Sequence, residues 1–234
     1  KKKINMAGKD KPVILFHAAS AGEFEQIKPI LEKMDRKRFF ILLSFFSPTV
    51  YKYEKNTPLA DASCYHPFDF FWSAWFFFSR MNIRYYITTR NDIWPIHLYI
   101  AQKKGVTTVL INANLYRESH YRSYLYRSFY QKVMGNFDLI LTGSDRLKKN
   151  LIHLAPERKI HITGDSRFDR VLDRKKGASD GLLPNIYEKS NTIILGSIES
   201  SDYPILFSGL EQYYSKGQET LENKNHRIII VPHE

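Results

Sequence analysis

Cysteine is nearly absent from this sequence. The single residue, Cys64, excludes an internal disulfide framework and a cysteine-rich zinc site. No apolar run approaches the roughly 20 residues that a membrane-spanning helix requires. The basic start of the chain is followed by no apolar stretch before Val13, and that stretch is too short for a signal peptide. We therefore expect a protein of the cytoplasm or of the inner membrane surface.

The charge balance is strongly positive. The formal net charge is +11, and aromatic residues make up 15% of the chain. A basic surface concentrates anionic partners, which include nucleic acid, anionic lipid and phosphorylated substrates. Plain solubility charge explains the same balance equally well. With 43% hydrophobic and 25% charged residues, the composition is that of an ordinary globular protein.

The hydrophobic pattern alternates between short β-rich runs and helical periods. After the first run, Phe24, Ile27, Ile30, Leu31 and Met34 fall on one helical face. This rhythm predicts an α/β fold with a Rossmann-like parallel sheet, in which ligands lie beyond the carboxyl ends of the strands. The predicted strands cover 12–17, 39–44, 85–89, 107–111, 138–142 and 160–163.

The rhythm is interrupted once. Residues 165–190 are charged, rich in Gly and Asp, and closed by Pro184, which is typical of a linker. Beyond them a single strand–helix–strand pattern follows, which is too little for an independent domain. We predict a first domain over 1–170, a linker over 171–190 and the beginning of a second domain over 191–234.

The first candidate site is the strand-to-helix turn that contains Ser20, Gly22 and Glu23. Its small residues let the backbone approach a ligand, and the helix amino terminus offers N–H groups to an anion. The Glu23 carboxylate could accept a proton from a sugar hydroxyl. Ser20 and Glu23 also have the spacing of a capping box, and spacing alone favours that interpretation. The turn lacks the G-x-G-x-x-G pattern, which argues against a dinucleotide cofactor.

Three further candidates also follow predicted strands. Ser47 precedes Pro48, which is typical of a helix start, but its hydroxyl could equally hold a phosphate or sugar. Arg90 and Asp92 suit a polar ligand, although Asp92 could simply cap the helix that Pro95 opens. Asn112 and its neighbour Asn114 could bind a substrate or make turns.

Two aromatic segments leave alternatives open. Arg122, Tyr126 and Tyr130 are spaced four residues apart. Such basic and aromatic residues could bind phosphate and lie against lipid. They could also contact RNA, although no recognisable RNA-binding motif accompanies them. The run 68–80 is interpreted by default as core, with insertion into the bilayer interface as the alternative. The histidines are scattered along the chain and show no metal-ligand spacing, so we interpret them as structural or capping residues.

The order of these motifs is more informative than any one of them. From His17 to Glu234 the chain closely resembles the Kdo transferases, which transfer 3-deoxy-D-manno-octulosonic acid (Kdo), an acidic eight-carbon sugar, to lipid A precursors. The resemblance is carried by HAASAGEFEQIKPIL, SFFSPTVYK, HPFD, RNDIWP, NANLYRES, LTGSD, ITGDSRFD, ILGSIESSD and IIIVPHE, in that order.

The resemblance implies a GT-B architecture, with an acceptor-side domain over 1–170 and the start of a donor-side domain over 191–234. It implies an inverting, metal-independent glycosyltransferase without a cofactor, in which CMP-Kdo is the donor and a lipid IVA-type phosphorylated glycolipid is the acceptor. Glu23 would be the general base. The acceptor side would include Ser20, Gly22, Ser47, Arg90, Asp92, Asn112, Arg117 and Arg122, and the donor side Gly196, Ser197 and His233.

One departure from the family pattern stands out. Relatives usually carry a Glu two residues before a second acidic residue and Ile/Leu-Trp-Pro, whereas this chain has Arg90 there and keeps only Asp92. We expect a protein at the cytoplasmic face of the inner membrane that does not bind nucleic acid, and we expect this stretch of chain alone to be inactive. The alternatives are another GT-B enzyme, such as a UDP-sugar transferase or an epimerase, or a non-catalytic binder of anionic lipid or nucleic acid.

Overall fold

Two units make up the computed structural model, which describes residues 11–115, 124–177, 183–187 and 189–233. The first unit is Lys1–Lys176 and the second is Gly177–Glu234. The division falls inside the segment 171–190 that the sequence predicts as a linker.

The first unit is built on a seven-stranded parallel sheet, so the predicted α/β fold is confirmed. The strand order is β3-β2-β1-β4-β5-β6-β7, and every neighbouring pair is parallel. The strands are β1 (Val13–Ala18), β2 (Phe40–Phe45), β3 (Ala62–Tyr65), β4 (Ile83–Thr89), β5 (Thr107–Ala113), β6 (Leu139–Thr142) and β7 (Ile160–Ile162).

Helices connect these strands as the sequence rhythm predicts. They are α1 (Ala21–Leu31), α2 (Pro48–Glu54), α3 (Phe71–Ser79), α4 (Pro95–Lys103), α5 (Tyr124–Gly135), α6 (Asp145–Leu151) and α7 (Ser166–Gly177), with a 3₁₀ turn at Glu157–Lys159. Several begin at residues that favour helix starts: Ser20 and Ser144 cap α1 and α6, and Pro48 opens α2.

The central strands are buried on both faces of the sheet. All six residues of β1 are buried, and alternate residues enter different clusters: Val13 and Leu15 join one, Ile14 and Phe16 the other. Helices on both sides of a parallel sheet produce this pattern, which explains why the central strands read as near-continuous apolar runs.

The direction of the strand order reverses between β1 and β4. Strands β2 and β3 lie on one side of this point, and β5 to β7 lie on the other. The connection after β1 leads to β2, whereas the one after β4 leads to β5, so the two loops diverge. In open α/β sheets the crevice left there is the usual ligand site. It places the residues that follow Ala18 next to those that follow Thr89.

The segment expected to be a linker from residue 165 onwards begins as a helix. Helix α7 occupies Ser166–Gly177, and two of its arginines have a partner on α1. Arg170 Nε and Arg174 Nη2 donate to Glu25 Oε2 at 2.9 and 2.8 Å, and Lys28 Nζ donates to Glu25 Oε1 at 2.6 Å. Sequence composition alone does not reveal such partners, which lie about 145 positions away.

The second unit holds the strand–helix–strand pattern that the sequence predicts. Strands β8 (Asn191–Ile198) and β9 (His226–Pro232) are parallel, and α8 (Tyr203–Tyr213) and α9 (Gln218–Asn223) lie between them in the chain.

A carboxylate from a distant loop caps helix α4. Its own N-cap residue, Trp94, makes no side-chain cap bond. Instead, Asp69 Oδ1 accepts from the backbone N–H of His97 at 3.0 Å and lies 2.7 Å from His97 Nδ1, while Oδ2 accepts from the Ile96 N–H at 3.2 Å. Burial alone would raise the pKa of Asp69, but these bonds outweigh it and hold the pKa below its ordinary value. The helix-capping role considered for Asp92 therefore belongs to Asp69.

We expect Asp69→Ala to lower the free energy of unfolding by about 2 to 3 kcal/mol, because it leaves buried donors without an acceptor. Asp69→Asn, which keeps one acceptor oxygen, should lose less. Because the pKa of Asp69 is lower in the folded than in the unfolded protein, its ionised carboxylate stabilises the fold at pH values above the ordinary aspartate pKa. This stabilisation is lost as the pH falls through the pKa of the folded state. The gap between wild type and Asp69→Ala in urea unfolding should therefore narrow in acid. A gap that does not change with pH would contradict this account.

Candidate active site

The Glu23 carboxylate closes the capping box at the start of α1. Glu23 Oε2 accepts from the backbone N–H groups of Ala19 at 2.8 Å and Ser20 at 3.0 Å, and Ser20 Oγ accepts from the Glu23 N–H at 3.4 Å. The cap that the spacing favours is thus formed. Both bonds use the same carboxylate oxygen, and among the described residues no backbone N–H donates to Oε1. Capping the helix and accepting a proton are therefore compatible roles for this side chain.

The surroundings of Glu23 make it a better base than an exposed carboxylate. Burial raises the pKa of Glu23 most, and the negative charge of Asp92 raises it further. The hydrogen bonds from Ala19 and Ser20 lower it only in part, so the pKa lies above its ordinary value. Glu23 is half-buried, and Gly22 beside it is exposed, with no atom within 4 Å of where a Cβ would lie. Open space thus adjoins the first turn of α1.

Asp92 is held by two protein groups. Trp94 Nε1 donates to Asp92 Oδ1 at 2.8 Å, and His17 Nε2 lies 2.9 Å from Asp92 Oδ2. The Asp92 side chain is 11% exposed. Trp94 thus hydrogen-bonds one carboxylate oxygen and the His17 ring lies against the other, at the point where β1 and β4 diverge.

Three histidines that are far apart in the sequence meet behind this carboxylate. His17, His66 and His97 are 0%, 5% and 0% exposed, and ring centroids lie 3.7 Å apart for His17–His66 and 4.5 Å apart for His66–His97. Burial, followed by the neighbouring His17 and His97, lowers the pKa of His66 well below its ordinary value. Within the described ranges, no set of three or more His, Cys, Asp or Glu side chains is arranged to hold a metal ion.

The sequence interpretation did not foresee this cluster. A signal was nevertheless present, because His17 lies near the end of β1 and His66 directly follows β3. Parallel pairing brings strand ends to one edge of the sheet, and His17 is paired in register with Ser44 of β2. Polar residues at the ends of adjacent strands are therefore expected to meet.

Arg90 lies at the same edge in an unusual backbone conformation. Its φ is 61°, in the left-handed region that non-glycine residues rarely adopt. With the Asn114 amide turned so that its oxygen faces the guanidinium, that oxygen accepts from Arg90 Nε and Nη2 at 3.2 and 3.3 Å. Burial would raise the pKa of Asp165, but Arg167 and the nearby Arg90 charge bring it below its ordinary value. Arg90 is thus a positioned cation beside the switch point.

Asn112 is used to anchor α7. Its φ is 50°, its Nδ2 donates to Ser166 Oγ at 2.7 Å, and its Oδ1 accepts from the Ser166 N–H at 3.1 Å. Ser166 Oγ in turn donates to the Gln26 carbonyl at 2.6 Å. The amide is 7% exposed and engaged at both ends, so its described role is to tie β5, α7 and α1 together.

We expect Asn112→Ala to destabilise the protein by about 2 to 4 kcal/mol, since it removes both bonds and keeps a strained left-handed residue. Asn112→Gly loses the same bonds without the strain and should retain about 1 kcal/mol more stability. Hydrogen-exchange rates of the α7 backbone amides measure the loss of stability in each of the two variants. Equal losses for the two variants would contradict the conformational part of this account.

Of the other acceptor-side residues, Ser47 is placed and two arginines are not. Ser47 caps α2, with its Oγ 3.4 Å from the Val50 N, and it remains half-buried next to exposed Phe46. Arg117 and Arg122 lie outside the described residues.

The three donor-side residues lie together at one end of the second unit's sheet. A register shift between Gly196 and Ile198 gives Ser197 a φ of 62°, and the backbone N–H of His233 donates to the Ile198 carbonyl at 2.8 Å. The carboxyl ends of β8 and β9 thus bring Gly196, Ser197 and His233 to one edge.

Most of the aromatic run 68–80 is on the surface. Helix α3 buries only Ala74 and Phe78, and the rest of its bulky side chains are half-buried or exposed. We call the exposed set the aromatic face; it comprises Phe46, Phe68, Phe70, Phe71, Trp72, Trp75 and Phe76. The default interpretation of this run as core is therefore wrong for most of its members.

The aromatic face extends towards Asp92. Ring centroids are 6.2 Å apart for Phe70–Phe68, 6.1 Å for Phe68–Phe46 and 5.2 Å for Phe46–Trp94. Trp94 is the residue that binds Asp92. None of the helices in the described part of the chain is both long and apolar enough to cross a bilayer.

Solved structures with a similar fold include UDP-N-acetylglucosamine 2-epimerases. UDP-N-acetylglucosamine 2-epimerase from Rickettsia bellii matches with a TM-score of 0.61 at 11% identity, over 95% of this chain and 62% of that one. UDP-GlcNAc 2-epimerase from Neisseria meningitidis matches with a TM-score of 0.61 at 10% identity, over 96% of this chain and 72% of that one. Identities this low show the fold alone, which is the expected GT-B type.

Sequence relatives point to one enzyme family. The 3-deoxy-D-manno-octulosonic acid transferase of Aquifex aeolicus (strain VF5) is 27% identical over 95% of this chain and 55% of its own length. That of Chlamydia muridarum (strain MoPn / Nigg) is 24% identical over 88% of this chain and 49% of its own. The chain thus spans about half the length of these curated relatives. The sequence model of the family described as 3-Deoxy-D-manno-octulosonic-acid transferase (kdotransferase) matches residues 1–170. Since that match covers most of the sequence, the chain belongs to the Kdo transferase family.

Proposed function

We propose that this protein transfers Kdo from CMP-Kdo to a lipid A precursor of the lipid IVA type, with inversion at the anomeric carbon and without a metal or cofactor. The observation that carries the proposal is the Glu23 carboxylate. It lies at the sheet's switch point, has a raised pKa, and among the described residues takes both of its backbone N–H bonds on a single oxygen.

In the proposed reaction, Glu23 Oε1 accepts the proton of the acceptor's primary hydroxyl. The hydroxyl oxygen attacks the anomeric carbon of Kdo as the bond from that carbon to the CMP phosphate oxygen breaks. CMP leaves with the electron pair of that bond. A single displacement of this kind inverts the anomeric configuration, and the protonated Glu23 then returns its proton to solvent.

Charge complementarity supports the choice of substrates. The acceptor carries phosphates and Kdo carries a carboxylate, which suit a chain of net charge +11. Arg90, held by Asn114 beside the switch point, is our candidate partner for one of these anions. Gly196, Ser197 and His233 are our candidates on the donor side, where strand ends commonly bind nucleotides.

The aromatic face supports a location at the cytoplasmic face of the inner membrane. Exposed rings beside cations are typical of proteins that lie in a bilayer interface. Lys104 Nζ lies 3.6 Å from the Trp75 ring centroid, and Arg80 lies 5.7 Å from that of Phe76. A lipid acceptor could then reach Glu23 along the row of rings that ends at Trp94.

The direct test is an assay of a polypeptide that carries this sequence together with a complete donor-side domain, here called the two-domain enzyme. It is incubated with lipid IVA and either CMP-Kdo or a panel of UDP-sugars, and the products are identified by mass spectrometry. We expect Kdo-modified lipid IVA only with CMP-Kdo, also in the presence of EDTA. Turnover of UDP-sugars alone would overturn the proposal.

A further inference from the structure

We propose that His17 is a positioning residue that holds the Asp92 carboxylate beside Glu23 and is itself aligned by a buried chain of hydrogen bonds from Tyr86. The inference rests on the proposed function, since it assigns how the general base is set up.

The contact between the His17 ring and the Asp92 carboxylate is buried. His17 is 0% exposed, and its Nε2 lies 2.9 Å from Asp92 Oδ2. Neither atom has a hydrogen-bond partner with good geometry among the described residues, so the contact is bent relative to an ideal hydrogen bond. Active-site hydrogen bonds are often poorly aligned without substrate and tighten when it binds. Trp94 fixes the other Asp92 oxygen. The carboxylate is therefore held from two directions.

The opposite side of the imidazole continues into the core. His17 Nδ1 is 3.0 Å from Ser44 Oγ, which is 3.1 Å from His66 Nδ1, and His66 Nε2 is 3.4 Å from the Tyr86 hydroxyl. One placement of hydrogens serves the side-chain contacts: Tyr86 donates to His66, His66 to Ser44, Ser44 to His17, and His17 Nε2–H points to Asp92. In this placement the Ser44 hydroxyl no longer donates to the Phe16 carbonyl oxygen, which lies 3.3 Å from Ser44 Oγ. All groups upstream of Asp92 are then neutral, which suits their burial.

The Ser44 carbonyl oxygen offers a second arrangement, because it also lies 3.0 Å from His17 Nδ1. If Nδ1–H donates there, the Ser44 hydroxyl donates to the Phe16 carbonyl oxygen at 3.3 Å, and a second proton on the imidazole at Nε2 completes the contact with Asp92 Oδ2. In both arrangements, His17 fixes the position of the Asp92 carboxyl group.

Fixing Asp92 matters because of what faces it. Strands β1 and β4 are parallel neighbours, so the turn after β1 that leads to Glu23 and the loop after β4 that holds Asp92 leave the sheet at the same edge. After burial, the negative charge of Asp92 is the next cause of the raised pKa of Glu23. The titratable and charged groups around the His17–Asp92 pair come from several elements. They are Glu23 on α1, Tyr86 on β4, His66 after β3, His97 on α4 with its partner Asp69, and Arg90 in the same loop as Asp92. Of these, Glu23 is the half-buried group next to open space.

The experiment measures kcat/KM of the two-domain enzyme as a function of pH. The fall of kcat/KM at low pH, called the acid limb, reports protonation of the base. In His17→Phe, Asp92 loses one of its two anchors and its charge is no longer held beside Glu23. We expect the acid limb to move to lower pH and the plateau of kcat/KM to fall roughly 10- to 100-fold through misplacement. His17→Gln, whose amide N–H can reach towards the Nε2 position, should restore the position of the limb. Asp92→Asn should move the limb in the same direction as His17→Phe.

The matched control is His97→Gln, which alters a buried histidine of the same cluster that contacts His66 but not Asp92. We expect its acid limb to stay in place, whatever its stability. A fall in rate for His17→Phe and Asp92→Asn without movement of the limb would make His17 merely structural and overturn the inference. If His17→Phe does not fold, Asp92→Asn and His17→Gln decide the outcome. Full turnover by Glu23→Gln would instead overturn the proposed base, so the two failures are distinguishable.

Discussion

Replacing Glu23 by glutamine is expected to lower kcat of the two-domain enzyme by about 10² to 10⁴, the usual contribution of a general base. Glutamine cannot take up the proton of the acceptor hydroxyl. Its side-chain oxygen can still accept from the N–H groups of Ala19 and Ser20, and Gln serves as well as Glu in a capping box. The variant therefore removes the base and leaves the start of α1 intact.

The helix offers a matched control for this substitution. Glu25→Gln changes the same residue type two positions further on, where the carboxylate binds Lys28, Arg170 and Arg174. We expect kcat to be unchanged and stability to fall by about 1 kcal/mol, since partly exposed ion pairs contribute little. Thermal unfolding should show Glu23→Gln as stable as wild type. Equal kcat for Glu23→Gln and wild type would rule out Glu23 as the base.

The pH dependence gives the same substitution a second readout. Burial first, and then Asp92, raise the pKa of Glu23, and the base works only when ionised. The acid limb of kcat/KM should therefore lie above the range of an ordinary glutamate and be absent from the residual activity of Glu23→Gln. If the acid limb of kcat/KM fell at the pKa of an ordinary glutamate, a group other than Glu23 would control the rate.

The architecture could be predicted because its signals are local. Strands such as β1 and β2 are buried on both faces, so their apolar runs are continuous and end at polar turns. The rule that ligands bind beyond the carboxyl ends of strands then predicts that Glu23, Arg90 and Asn112 lie at one edge of the sheet. The family resemblance added roles that composition and spacing do not supply.

What the sequence could not predict depends on contacts between distant segments. Asp69 caps a helix that begins 26 residues later, and Asn112 binds Ser166 across 54 positions. The histidine cluster likewise requires the strand order, because His17 and His97 are 80 positions apart in the chain. Single-sequence patterns carry no information about such pairs until the order of strands in the sheet is known.

The aromatic run shows a different limit. Helical periodicity identifies a buried face by contrast with polar residues on the other side. Helix α3 reads FWSAWFFFS, with bulky apolar residues on nearly every side, so the pattern cannot say which of them point inward. Packing decides this: Ala74 and Phe78 enter the core, whereas Trp72 is 71% exposed.

The aromatic face leads to a large expected effect on membrane binding. Phe70, Trp72 and Phe76 are 66%, 71% and 56% exposed, so their replacement by serine removes no core packing. Full burial of an aromatic side chain is worth about 1.5 to 3 kcal/mol, and partial insertion of three should supply about 3 to 4 kcal/mol. We therefore expect the triple serine variant to bind phosphatidylglycerol vesicles about 10² to 10³ times more weakly in a flotation assay. A matched control replaces Tyr53 and Phe129, which are 76% and 52% exposed on helices α2 and α5 of the same unit, and should bind as wild type does. Raising the salt concentration should weaken binding of wild type and control through screening of the basic side chains, but should not abolish it, because insertion of the rings is not screened. Undiminished vesicle binding by the triple variant would show that the aromatic face is not what contacts the membrane.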